Sequence, residues 1–167
     1  MIDGKEQKGT SMEIERKFLV DMCLEDLEAY PHHRIEQAYI CTDPVLRIRR
    51  KDDQFILTYK GPGFLVREEH EFPLKEASYY QLLSKAEGNR IMKNRYYIPY
   101  HGYTIELDVF DPPFSPLMLA EVEFASEQEA KNFQPPEWFG EDVTYDPAYT
   151  NAAMSRQSFD TEGTEPV

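Results

Sequence analysis

Pairs of like charge recur along this chain at alternate positions. Glu13 and Glu15 open the series, with Lys17 two residues further on; Arg47 and Arg49 follow, then Glu69 and Glu71. Lys93 and Arg95, Glu106 and Asp108, and Glu121 and Glu123 repeat the pattern, and Lys60 stands between the second and third pairs. Carboxylate and water oxygens are the ligands that Mg²⁺ and Mn²⁺ prefer. Guanidinium forks bond two phosphoryl oxygens at once. Acids and bases gathered in one enclosed space would therefore describe a site for a divalent metal and a polyphosphate. A single Glu-x-Glu or Arg-x-Arg is ordinarily a solvated surface pair. The whole series is harder to assign to solvent, because each pair is mostly of one sign and each sits in a strand-like run.

A spacing of two is the spacing of one face of a β-strand. "MEIERKFLV" (12–20) puts Glu13, Glu15 and Lys17 on one face, and Ile14, Arg16 and Phe18 on the other. There the Arg16 stem can lie along apolar neighbours. "IEQAYIC" aligns Gln37 with Tyr39, "VLRIRR" aligns Arg47 with Arg49, and "FILTYK" aligns Ile56, Thr58 and Lys60. "VREEHEF" aligns Arg67, Glu69 and Glu71, and "MKNRYYI" aligns Lys93, Arg95 and Tyr97. "TIELDVF" aligns Thr104, Glu106 and Asp108, and "LAEVEF" aligns Leu119, Glu121 and Glu123. Turn signals such as Asp43-Pro44, Asp52-Asp53, Gly61-Pro62-Gly63 and His101-Gly102 separate these eight runs. Helical stretches are expected at Leu24–Tyr30, at Glu76–Glu87 with a left-handed cap at Gly88-Asn89, at Ser126–Phe133 with a capping box, and at Pro147–Gln157.

Composition narrows the class. The chain has 167 residues, 41% of them hydrophobic, which is enough for one domain with a sizeable core. Its net charge of −13 argues against general binding to nucleic acid or anionic membranes. No run approaches the length of a membrane span, and no signal peptide is visible, so a cytoplasmic protein with Cys23 and Cys41 reduced is expected. Residues 1–11 read as a disordered leader, 12–157 as a single domain and 158–167 as a flexible tail. The oligomeric state is open, with a homodimer among the options. His32-His33 is read as part of a loop without a matching ligand set, His70 as structural and Trp138 as a packing anchor. No Walker-type phosphate loop is present.

If the eight strands close into a barrel, the charged face becomes the lumen. Six bases and eight acids would then be enclosed, and buried charges must be paired or bound to something.

At this point the residues resemble the CYTH domain, or triphosphate tunnel metalloenzyme, family, and in particular its small bacterial members. The signature is Glu13-x-Glu15-x-Lys17, continued by Arg47-x-Arg49, Lys60, Glu69-x-Glu71, Lys93-x-Arg95, Glu106-x-Asp108 and Glu121-x-Glu123, and by "PPEWFGEDVTYDPAYTN". Ala38 and Ala148 depart from the pattern, where Gly and Arg would be expected. The resemblance implies an α+β, mainly β, fold: an eight-stranded antiparallel closed β-barrel with a charged lumen and helices packed outside. Ile105, Leu107, Val109, Ala120, Val122 and Phe124 would then face outward under helices.

The resemblance also implies metal-dependent hydrolysis of inorganic tripolyphosphate to pyrophosphate and orthophosphate. The alternatives are an adenylyl cyclase or a nucleoside or thiamine triphosphatase of the same fold, and a non-catalytic polyphosphate-binding module. Lys17, Arg47, Arg49, Lys60, Lys93 and Arg95 would bind phosphate, and Glu13, Glu15, Glu106, Asp108, Glu121 and Glu123 would supply Mg²⁺ or Mn²⁺ ligands. Tyr39 is implied as the proton acceptor, with Lys17 and Lys60 beside it in the catalytic set; a packing role for Tyr39 is the alternative. Glu69 and Glu71 form a supporting acidic pair whose role is either metal binding or holding neighbouring bases in place.

Overall fold

The computed structural model describes residues 11–22 and 24–159; Cys23, the leader up to residue 10 and the tail from residue 160 lie outside the described residues. Eight strands form: β1 (Ser11–Leu19), β2 (His32–Thr42), β3 (Val45–Lys51), β4 (Gln54–Lys60), β5 (Val66–Pro73), β6 (Glu87–Tyr100), β7 (Tyr103–Phe110) and β8 (Met118–Glu123). They close into a barrel in the order β1-β5-β4-β3-β2-β6-β7-β8, and every neighbouring pair is antiparallel. Each strand's charged face points to the same side, because the ladders put these residues opposite one another. Lys17 faces Glu121, Glu121 faces Glu106, Asp108 faces Arg95, and Lys60 faces Glu69. The expected barrel and the inward parity of the charged pairs are both observed. The β2 ladders shift register around Tyr39 on both sides, and such bulges re-aim a side chain locally.

The outward parity is apolar and covered. Phe18, Ile105, Leu107, Ala120, Val122 and Phe124 are buried against Ala130 and Phe133, with Trp138 and Phe139 packed alongside. Ala130 belongs to α2 (Glu127–Asn132), whose N-terminus is capped by Ser126 accepting from the Glu129 amide at 3.1 Å. On the other flank, Tyr79 and Leu83 of α1 (Glu76–Leu83) cover Ala38 and Ile48. The lumen is not charged throughout. At one end the inward residues are Val45, Ile91, Phe110 and Leu119, and they pack with Phe114, Val143 and Met154. That end of the barrel is stoppered by an apolar cluster.

Several expected elements differ in detail. The 24–30 stretch holds only a single 3₁₀ turn, Leu27–Ala29. Helix α1 ends at Leu83, and Gly88 is no helix cap. It lies within β6 with φ +76°, where a Cβ would come within 2.3 Å of the Ser155 carbonyl oxygen. The last helix divides into a 3₁₀ turn, Pro147–Tyr149, and α3 (Asn151–Ser155). His32 and His33 open β2 instead of occupying a loop. Among the described residues, no helix is long and apolar enough to cross a membrane.

Arg16 shows how the outer layer is fastened. Its Nη1 donates to the Ala130 and Phe133 carbonyls at 2.8 and 3.3 Å, and its Nη2 to Asp142 at 2.9 Å. The guanidinium carbon lies 4.9 Å from the centre of the Phe18 ring. One side chain thus joins β1, the end of α2 and the C-terminal segment. Arg16→Ala is expected to lower unfolding stability by about 2–3 kcal/mol, since charged hydrogen bonds are worth about 1.5–3 kcal/mol each and their partners here can partly reach water. Urea denaturation of the variant against the parent checks this; an unchanged midpoint would show that the outer layer holds without Arg16.

Candidate active site

The lumen encloses a cavity of about 590 Å³. Glu13, Glu15 and Lys17 of β1, Tyr39 of β2, Arg47 and Arg49 of β3, and Lys60 of β4 line it. Glu69 and Glu71 of β5, Arg95 of β6, Glu106 of β7, and Glu121 and Glu123 of β8 complete the set of expected residues on its wall. Two expected residues are not on it. Lys93 and Asp108 both have side chains 0% exposed and sit behind the wall, 2.6 Å apart. Asp108 also takes a two-pronged grip from Arg95, at 2.7 and 2.8 Å. Read from the sequence as a metal ligand, Asp108 is committed in the structure to two bases. Read as a phosphate ligand, Lys93 is committed to Asp108, with Asn151 Oδ1 at 3.4 Å.

The cations divide by how they are compensated. Lys17 lies 3.5 Å from Glu121, Lys60 lies 3.0 Å from Glu13, and Arg95 reaches Glu106 at 2.6 Å as well as Asp108. Arg47, Arg49, Lys51 and Arg67 have no such carboxylate among the described residues. Arg47 reaches only the Thr58 hydroxyl, at 3.5 Å, and its Nε is buried with no partner. Arg49 donates twice to the Gln37 amide oxygen, at 3.0 and 2.8 Å. Arg67 donates to the Gly61 carbonyl at 3.0 Å, and Lys51 lies over the Tyr97 ring at 5.6 Å. An uncompensated buried arginine is unfavourable unless an anion joins it.

The acids show the complementary excess. Burial, then Glu121 and Glu13, push the Glu15 carboxyl up to about 8. Burial and a hydrogen bond with Glu13 push Glu69 up to about 8. Glu13 is the charged partner: burial opposes its charge, but the Glu69 hydrogen bond and Lys60 hold it down at about 2. Glu123 is raised by burial and by Glu13 and Glu106. Glu121 goes the other way; burial opposes its charge, but Lys17, Arg95 and Lys93 hold it well below the usual carboxylate range. Asp108 is held low against burial by Arg95 and Lys93. Among the described residues, no three His, Cys, Asp or Glu side chains form a ready-made metal cage. The acids with protons to lose, Glu15 and Glu69, are those a divalent cation would return to the charged form.

Tyr39 stands where the apolar stopper meets the cavity. It is buried in the apolar stopper, and it also lines the cavity, near enough to Lys17 and Arg49 to act on both. Lys17 is fixed from behind, its Nζ donating to the Tyr149 carbonyl at 3.1 Å. Lys51 and Arg67 were not among the expected site residues, although their parity announces them: Lys51 continues Arg47-x-Arg49, and Arg67 precedes Glu69 by two. With them the cavity wall carries seven bases against seven acids. Thr150 and Asn151 also reach the cavity, from a segment whose distance along the chain gives no register to read.

Comparison with known proteins agrees with this geometry. The chain is 43% identical over 149 residues to an inorganic triphosphatase of Nitrosomonas europaea, covering 86% of this chain and 96% of that one. An inorganic triphosphatase of Acetivibrio thermocellus is 31% identical, over 88% of this chain and 95% of its own. A crystal structure of an inorganic triphosphatase superposes with a TM-score of 0.67 at 38% identity, covering 87% of this chain and 95% of that one. The family model for the CYTH domain matches residues 11–147, which takes in all eight strands, and the chain belongs to the CYTH domain family.

Proposed function

We propose that this protein is a metal-dependent inorganic triphosphatase that hydrolyses tripolyphosphate to pyrophosphate and orthophosphate inside the barrel. The observation that carries the reading is the uneven compensation of the lumen: cations without carboxylates stand beside carboxyls that burial keeps protonated. A polyanion would satisfy the first and a divalent cation the second. The names of the relatives support it, two inorganic triphosphatases at 43% and 31% identity.

Arg47, Arg49, Lys51 and Arg67 are free to take phosphoryl oxygens, and Lys17, Lys60 and Arg95 can share theirs with the carboxylates they already hold. Seven cations around one chain of phosphates fix its register and neutralise charge as it develops on the leaving group. Glu13, Glu15, Glu121 and Glu123 would hold Mg²⁺ or Mn²⁺, with Glu106 nearby. Glu69 shares its proton with Glu13 and Glu71 stands beside it on β5, which favours the supporting role for that pair. The bound metal would supply charge neutralisation at the phosphoryl oxygens and a more acidic water. Water attacks the terminal phosphorus, the bond to the bridging oxygen breaks, and pyrophosphate leaves. Tyr39, on the cavity wall, would orient that water and take up its proton.

Three measurements test the reading. Phosphate release from tripolyphosphate with Mg²⁺ or Mn²⁺ should be rapid, faster than from ATP, and abolished by EDTA; binding without release would leave a polyphosphate-binding module. Cyclic AMP formed from ATP would favour the cyclase. Second, Arg47→Ala and Asp108→Ala should separate. Removing Arg47 should cut kcat/KM by about 100-fold, the scale of one lost transition-state donor, while leaving the melting temperature unchanged or raised. Removing Asp108 leaves the buried Lys93 without its carboxylate and strips Arg95 of its two-pronged partner, and should cost about 3–5 kcal/mol of stability. Equal destabilisation by both would mean that Arg47 is a structural residue.

The third concerns pH. Glu15 and Glu69 hold protons in the folded state up to about 8, whereas the unfolded chain releases them near 4.5. Across that window the native state binds more protons, so the metal-free protein should lose stability as pH rises from about 5 to 8. Added Mg²⁺ or Mn²⁺ should restore it, more at pH 8 than at pH 5. Melting curves at both pH values with and without metal decide this, and a metal effect independent of pH would show that metal binding does not draw on these two protons.

A further inference from the structure

We infer that Gln37 is a positioning residue for the phosphate-binding arginines, aiming Arg49 through a neutral acceptor so that its charge is left for the polyanion. This rests on the tunnel being a polyphosphate site and goes beyond the charged residues that mark it.

Gln37 faces inward on β2, directly opposite Arg49 on β3, and is 0% exposed. Its Oε1 accepts from both Nε and Nη2 of Arg49, at 3.0 and 2.8 Å. Both prongs of the guanidinium converge on this one oxygen, where a carboxylate would offer two. Arginine has only donors, so the amide must present its oxygen to Arg49, and its NH₂ must point the other way. The NH₂ there is buried and finds no partner among the described residues. Glutamate would grip Arg49 more strongly and leave no orphaned donor; leucine or methionine would leave no buried amide. Glutamine alone holds the fork and adds no charge.

The same logic repeats one rung along the strand. Arg47, two residues away on the same face, is held by the Thr58 hydroxyl and by no carboxylate. Burial first, and then Arg47 and Arg95 alongside, pull the Arg49 guanidinium down to about 10. Arg95 has the opposite arrangement, with Asp108 and Glu106 on it. The wall thus holds one group of cations by acids and another by neutral oxygens, and Gln37 places Arg49 in the second.

The test is steady-state kinetics of Gln37→Glu and Gln37→Met with tripolyphosphate and Mg²⁺, together with melting temperatures. Gln37→Glu should raise KM at least tenfold, change kcat less than threefold, and keep or raise the melting temperature, because the new carboxylate pairs with Arg49. Gln37→Met should raise KM only a few-fold, and should have no further effect in an Arg49→Met background. An unchanged KM in Gln37→Glu, or equal effects of the two single variants, overturns the role. Should Gln37→Glu fail to fold, additivity of Gln37→Met with Arg49→Met overturns it and non-additivity upholds it. A parent protein that does not turn over tripolyphosphate overturns the hydrolase reading alone, and the same ratios are then read from Kd by calorimetry in Mg²⁺. Absence of binding as well overturns both.

Discussion

Charge enclosed by protein must be answered by charge, and this barrel is organised around that demand. Seven bases and seven acids line one lumen, with Lys93 and Asp108 paired behind them, so the net charge of −13 resides entirely on the rest of the chain. Formal balance is not local balance. Asp108 answers Lys93 and Arg95 inside the wall, at 2.6–2.8 Å, and ties β6 to β7 there. Arg47 and Arg49 are answered only by a hydroxyl and an amide. Glu15 and Glu69 are answered by protons. A fully paired lumen would be more stable and would have no call on a ligand.

The rest of the fold follows from putting polar groups inside. A barrel with a charged interior must find its hydrophobic core elsewhere, so the outer face of β1, β7 and β8 is apolar and needs a cover. The cover is made of short pieces, α2 and the segment through Trp138 and Phe139, too small to be stable alone. They depend on the barrel, and Arg16 ties them to it. The apolar stopper at one end of the lumen serves a second purpose. It closes the lumen at the end where Tyr39 sits, so that the cavity has an apolar floor.

What could be read from the sequence was whatever alternates. Glu13-x-Glu15-x-Lys17 and the pairs after it carry their own register, because a period of two assigns each side chain to a face with no knowledge of neighbours. Eight such runs sufficed for the barrel and for most of its wall. Depth was not legible. Asp108 and Glu106 look alike in "TIELDVF", yet one is sealed behind the wall and the other lines it; the difference lies in their neighbours on β6 and β8, Arg95 and Leu119 for Asp108 but Tyr97 and Glu121 for Glu106. Gln37 was aligned with Tyr39, but its meaning depends on Arg49 of the neighbouring strand. Gly88 resembles a helix cap because its positive φ was legible, while Ser155, the reason for it, lies 67 residues away.

Under the proposed function the two unsatisfied halves of the lumen complete each other. A polyanion arriving without metal meets Arg47 and Arg49 but also the charged Glu13 and Glu121; a metal arriving alone must displace protons from Glu15 and Glu69 while facing Lys17 and Lys60. Each ligand removes the obstacle to the other, so their binding free energies are coupled, and the coupling is reciprocal. Neutral acceptors are essential to that scheme. A carboxylate on Arg49 would satisfy one half in advance, and the polyanion would then gain little from entering. Gln37 and Thr58 keep the arginines in place and in deficit, which is what makes the lumen a binding site as well as a wall.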